Sequence, residues 1–294
     1  MSKNTYVSPA DGKVMACLDA SVYTESVVDH AAWASKRLDA ELVCLHVLDR
    51  KPSKPAKADY SGNIGMDTGT DLLQQLAALD AERSRLAMRQ GRVLLEQARE
   101  RALKAGAVNP DSLQRHGPLA EALTELEESV RLFVIGKRGE AADFNSGHLG
   151  ANLERVVRSV HRPLLVTSRQ FRPIKRFGIA FDGSKTTRKC VDMVCMSPLL
   201  KGLDCHLIAA GNESPALTES LTWAQTQLAQ AGFKVNIARV PGNAEQVIND
   251  QIGEQGIDLL VMGAYGHSRI RHLIVGSTTT SVLRSSTIPV LLLR

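Results

Sequence analysis

DLLVMGAYGHSRIRHLIVGSTTT, residues 258–280, carries the decisive pattern. Its apolar run after Asp258 is continuous, as in a strand covered by helices on both faces. Gly263 and Gly266 follow at once, where a tight turn or a close approach of backbone to a ligand needs no side chain. Nine residues separate Gly266 from Gly276, and Gly276-Ser277 opens a helix containing Val282 and Leu283. Ser277, Thr278 and Thr279 fall in its first turn, where unpaired N–H groups and the helix dipole attract anions. Their hydroxyls can donate further hydrogen bonds to phosphate oxygens. A strand, a glycine loop and a helix in that order belong to an alternating α/β chain, whose expected form is a parallel doubly wound sheet.

Working outward, the pattern has an earlier counterpart. RLFVIGKRG at 131–139 matches DLLVMGAYG at 258–266. VMACLDAS at 14–21 matches GIAFDGS at 178–184, each an apolar strand ending in an aspartate, Asp19 or Asp182. HRPLLVTSR at 161–169 matches TIPVLLLR at 287–294, each a proline leading into a short apolar strand. The duplication is domain-sized. It predicts two repeats, 1–170 and 171–294, with a charged, proline-bearing boundary near Phe171–Lys175. Strands are expected at 177–181, 205–210, 234–240, 258–262 and 289–293 of the second repeat.

The repeats differ in an inserted segment, 50–105, of the first. KPSKPAKADYSGNIGMDTGT, 51–70, is an expected irregular loop. A charged helix over about 71–105 should follow, packing an apolar side of Leu72, Leu76, Leu79, Leu86 and Val93. The second repeat has only AGNESPALT and a shorter helix at that place.

Composition narrows the function classes. The 294 residues are 44% apolar, enough for real cores, and no apolar run approaches membrane-spanning length. No signal-peptide core begins the sequence, so the cytoplasm is the expected location. The formal charge of +5 could favour anionic ligands. Aromatics at 4% offer little to stack nucleic-acid bases, so neither a nucleic-acid nor a membrane partner is expected. Five cysteines without a CxxC pair predict buried, reduced thiols.

The G-x2-G-x9-G-S pattern, the strand-ending Asp182 and the terminal proline-plus-apolar strand together resemble the ATP-binding universal stress proteins, twice along the chain. The resemblance implies two tandem, Rossmann-like, five-stranded sheets and an ATP site, with or without Mg²⁺, chiefly in the second repeat. It implies that Asp182 contacts the adenine, that Ala180 helps line that pocket, and that the Ala210 backbone meets the adenine edge. Met262 and Gly263 would lie toward the ribose, with Gly266, Gly276, Ser277 and Thr278 on the phosphates. It also implies that 164–168 and 290–294 pair as strands, making an internal pseudo-dimer; dimerisation of the whole chain stays open. The first repeat keeps Asp19, Gly136, Gly139 and Gly150, but its loop has ten residues between the last two glycines, and Ala151 replaces the serine. Lys137 and Arg138 could supply charge there, yet a weak or empty site is expected.

Plainer roles compete. The glycines can serve packing, and Asp182 can cap the next helix. His267 and His272 have no acid or cysteine beside them, so a metal site is not expected. His46, inside an apolar strand, fits a satisfied core residue. No Walker loop, G-x-G-x-x-G, H-E-x-x-H or G-x-S-x-G occurs. Function is therefore expected to be that of a nucleotide-binding stress-response or regulatory protein. The alternatives are a slow ATPase or autophosphorylating enzyme, and a nucleotide-free scaffold.

Overall fold

The structure, a computed structural model, describes residues 12–48, 66–137, 151–264 and 277–294. The first half runs β1 Lys13–Leu18, α1 Thr24–Leu38, β2 Glu41–Leu48, α2 Met66–Lys104, β3 Val108–His116, α3 Leu119–Leu126, β4 Val130–Gly136, α4 Ala151–Ser159 and β5 Leu164–Thr167. The second half repeats the order: β6 Arg176–Ala180, α5 Lys185–Met196, β7 Asp204–Ala210, α6 Pro215–Gln230, β8 Val235–Val240, α7 Ala244–Gln255, β9 Leu259–Gly263, α8 Ser277–Ser285 and β10 Val290–Leu293. Each strand expected in the second half is present, with ends moved by a residue or two at most.

One ten-stranded sheet results, in the order β3-β2-β1-β4-β5-β10-β9-β6-β7-β8. Neighbours within each half are parallel, and β10 meets β5 antiparallel with Leu291 opposite Leu165. The expected pairing of the last strands is thus observed, and it fuses two five-stranded sheets into one.

Side chains alternate across the sheet, as strand geometry requires. Val14 and Ala16 join a core with α1, α5, α6 and the last turns of α2; Met15 and Cys17 join another with α3, α4, α7 and α8. Both cores extend through both halves. Residues 168–175 link the halves without regular structure, but they are anchored: Ile174 is buried and Phe171 meets the His30 ring edge-on at 4.9 Å.

The long helix corrects one expectation. Its packed face is Gly91, Leu95, Ala98 and Ala102, all buried. Leu76, Leu79, Leu86 and Val93, expected inside, are each about half exposed, at 50–53%, and the Leu72 side chain lies outside the described residues. Gly91 is small for a reason: a Cβ there would lie 2.6 Å from His46 Cδ2 and 2.2 Å from Gln114 Nε2. His46 itself is half-buried, with Nδ1 3.1 Å from the Leu18 carbonyl oxygen, as a satisfied strand residue should be.

Candidate functional site

In a doubly wound sheet the crevice opens beyond the carboxyl ends of the strands, where strand order reverses. In the second half this switch lies between β6 and β9, which pair from Phe177 to Ile179 while their chains continue in opposite directions across the sheet. Ala180 ends β6, Ala210 ends β7, and Met262 and Gly263 end β9. Ala180, Ala210 and Met262 share one apolar cluster on the sheet face that α7 and α8 cover. The fold therefore gathers these residues on one edge, with Asp182 two positions past Ala180.

Asp182 is held by a turn. Its Oδ1 accepts from the Ser184 N–H at 2.9 Å and from the Thr187 hydroxyl at 2.8 Å. Burial pushes its carboxyl pKa up, but the bonds from Ser184 and Thr187 outweigh this and leave it below the ordinary aspartate value. Capping of α5 falls to Ser184, whose Oγ accepts from the Thr187 N–H at 3.3 Å, and not to Asp182. Oδ1 accepts both of these bonds, and the Ser184 hydroxyl also favours the charged carboxylate. Gly183 completes the turn at φ +76°, beside Ser220. Arg188 donates to the Gly183 carbonyl at 3.3 Å and to Ser220 Oγ at 2.8 Å, with its guanidinium 4.7 Å from the Trp223 ring centre.

Gly263 has a packing reason to be glycine. A Cβ there would lie 2.7 Å from Thr186 Cγ2 on α5. Its carbonyl accepts from the buried Thr279 hydroxyl at 3.4 Å, which sets the first turn of α8 against the end of β9. Ser277 is the first residue of α8, and Thr278 is exposed one position on. Gly266 and Gly276 lie outside the described residues, as do His267 and His272.

The first half repeats part of this arrangement. Asp19 Oδ1 accepts from the Ser21 N–H at 3.2 Å, and the Thr24 hydroxyl donates to the Asp19 carbonyl. The spacing D-x-S-x2-T thus recurs at 19–24 and 182–187, a signal legible in the sequence that strand matching alone passes over. Gly136 ends β4 opposite Thr167. Gly139, Gly150 and Arg138 lie outside the described residues.

Lys137 reaches the other half of the chain. Its Nζ donates to the carbonyls of Arg284 at 2.6 Å and Ser286 at 2.9 Å, at the carboxyl end of α8 in the other half. Arg294 does the converse, donating to the carbonyls of Val160 at 2.6 Å and Val157 at 2.5 Å at the end of α4. Cations at helix carboxyl ends satisfy orphan carbonyls and meet the negative pole of the dipole.

The thiols give no reactive centre. Burial pushes Cys44, Cys190 and Cys205 up to about 12 and raises Cys17 further, so all four are protonated at neutral pH. All five cysteines are free, Cys195 being half-buried. Among the described residues there is no cluster of three or more potential metal ligands, and no helix long and apolar enough to cross a membrane. A concavity of about 750 Å³ runs along α6, lined by residues including Glu213, Thr218, Thr222 and Trp223. It begins three residues past Ala210, on the helix and not at the strand ends.

The strand order and the alternating helices define a doubly wound, Rossmann-like α/β protein. The model of the universal stress protein family matches residues 12–168 and 206–294, and the chain belongs to that family. It is 37% identical over 284 residues to a universal stress protein of Synechocystis, covering 96% of this chain and 99% of that one. A universal stress protein of Mycobacterium tuberculosis is 24% identical over 232 residues, 70% of this chain and 73% of the other. Among solved structures, a universal stress protein from Archaeoglobus fulgidus superposes with a TM-score of 0.69 at 18% identity, covering 96% of each chain. A putative universal stress protein from Pseudomonas aeruginosa gives 0.63 at 15% identity, covering 97% of this chain and 93% of its own. At these identities the two structures bear on the fold.

Proposed function

We propose that the second half binds an adenine nucleotide, ATP with or without Mg²⁺, and that the protein acts in stress response as a nucleotide-dependent regulator in the cytoplasm. One observation carries the reading: Ala180, Asp182, Ala210, Met262 and Gly263 converge at the switch point, beside the opening of α8. On this reading Oδ1 holds the Asp182 turn, and Oδ2 accepts from the exocyclic amine of the base. Ala180 and Ala210 are small, which leaves room for a flat ring at the strand ends. The first turn of α8, with Ser277 and the exposed Thr278, offers N–H and hydroxyl donors for phosphate oxygens. Gly266 and Gly276 are assigned to the same phosphates on the sequence pattern.

The same reading divides the chain into repeats 1–170 and 171–294 with unequal sites. The first keeps the aspartate turn, but Ala151 opens α4 and Lys137 donates to carbonyls at the end of α8. Bound nucleotide would stabilise the second repeat by mass action.

The test is calorimetric titration of the full chain with ATP and Mg²⁺, beside mass spectrometry of small molecules released on denaturation. Asp182→Asn keeps the Oδ1 acceptor but turns Oδ2 into a donor facing another donor. It should weaken ATP at least tenfold, about 1.4 kcal/mol. Absence of heat with ATP, ADP and AMP at millimolar concentration refutes the proposal. Repeated turnover with Mg²⁺ would make the protein an enzyme.

A further inference from the structure

The helix α2 has 39 residues, about 58 Å at 1.5 Å per residue. Its docked face begins at Gly91; residues 74–86 are exposed on every side. A helix of ordinary sequence is marginal in water without an apolar face to bury. This arm has such a face, and it is not spent on the sheet. Leu79, Leu86 and Val93 recur every seven residues, with Leu76 three before the first, and each is half exposed. A seam repeating at three and four residues is the pattern that two supercoiled helices bury against each other.

Charge selects the partner and its direction. Along the arm, Asp80 and Glu82 come first, followed by Arg83, Arg85, Arg89 and Arg92. A parallel copy would set arginines beside arginines. An antiparallel copy sets the acids of each arm against the arginines of the other, and the match is reciprocal, as two-fold symmetry requires. Arg83 and Gln90 occupy the seam's remaining core positions, and polar residues there favour a defined register at some cost in stability. The strands β5 and β10 are paired to each other, so they offer no free edge for assembly.

We propose that the α2 arm is a homodimerisation element, pairing antiparallel with the α2 arm of a second copy of this chain through Leu76, Leu79, Leu86 and Val93. This stands apart from nucleotide binding, because no seam residue belongs to the crevice.

The experiment is sedimentation equilibrium of the full chain up to about 100 µM, where even a micromolar dissociation constant gives dimer. The wild type should reach twice the chain mass. Leu79→Glu with Leu86→Glu should give a monomer whose near-UV spectrum, a report on the core, is unchanged. Glu82→Arg and Arg89→Glu should each weaken the dimer at least tenfold, and the two together should restore it. A wild-type monomer at the highest concentration overturns the proposal, including one that co-sediments with anionic vesicles. So does a dimer indifferent to the two glutamates. Failure of the combined charge reversal to restore association overturns the antiparallel order.

Discussion

Gly263→Ala separates two reasons for a glycine at the end of β9. The added Cβ would sit 2.7 Å from Thr186 Cγ2, closer than such atoms approach, while Cys190 Sγ at 3.5 Å and Thr186 Cβ at 3.6 Å are in ordinary contact. One methyl is therefore the whole obstruction. Relieving it means moving α5 or rotating a β-branched side chain, whose rotamers are few. Overpacking of this kind costs about 1–3 kcal/mol. Thr186→Ser removes that methyl and keeps the hydroxyl, so Gly263→Ala in the Thr186→Ser background should recover most of the loss. The assay is urea unfolding of all four proteins, read as a double-mutant cycle. ATP titration of the double variant then reports on the ligand side. Wild-type affinity means that the glycine serves packing; lost affinity with restored stability means that bound nucleotide approaches the backbone there. A single variant as stable as wild type, or no recovery in the double variant, refutes the steric argument.

Two further predictions concern the same framework. Thr187→Val removes the hydroxyl that donates to Asp182 and should cost about 1 kcal/mol at neutral pH. Because the aspartate pKa is lowered in the folded state, its contribution is full above the unfolded value near 4 and is lost as pH falls through the folded one. The stability gap between Thr187→Val and wild type should therefore close in acid; a gap constant from pH 7 to about 2 would contradict that assignment. Gly91→Ala should destabilise by about 1–3 kcal/mol, although alanine ordinarily gains about 1 kcal/mol inside a helix. His46 Cδ2 at 2.6 Å and Gln114 Nε2 at 2.2 Å decide the sign, and a higher thermal midpoint would show that they give way.

Much of the site's framework was legible in the chain because it depends on neighbours in sequence. The runs LLVM and VLLL, the strand-ending aspartates and the proline before each last strand specify a repeated, helix-covered parallel sheet. The turn at Asp182 is also local, since its donors lie two and five residues ahead. It was legible as D-x-S-x2-T, although the strand match alone does not reveal it.

Tertiary structure decided what periodicity leaves open. The α2 sequence carries two apolar stripes, and a helical period cannot tell which one meets the sheet. The docked stripe is that of Gly91, Leu95, Ala98 and Ala102, with His46 and Gln114 packed so closely at Gly91 that a Cβ has no space there, and the leucine stripe faces solvent. Lys137 is near its own repeat's glycines in sequence, yet the antiparallel β5–β10 join brings the end of α8 within its reach. Gly263 meets Thr186 only because α5 crosses the end of β9, a contact between residues 77 positions apart that no local spacing encodes.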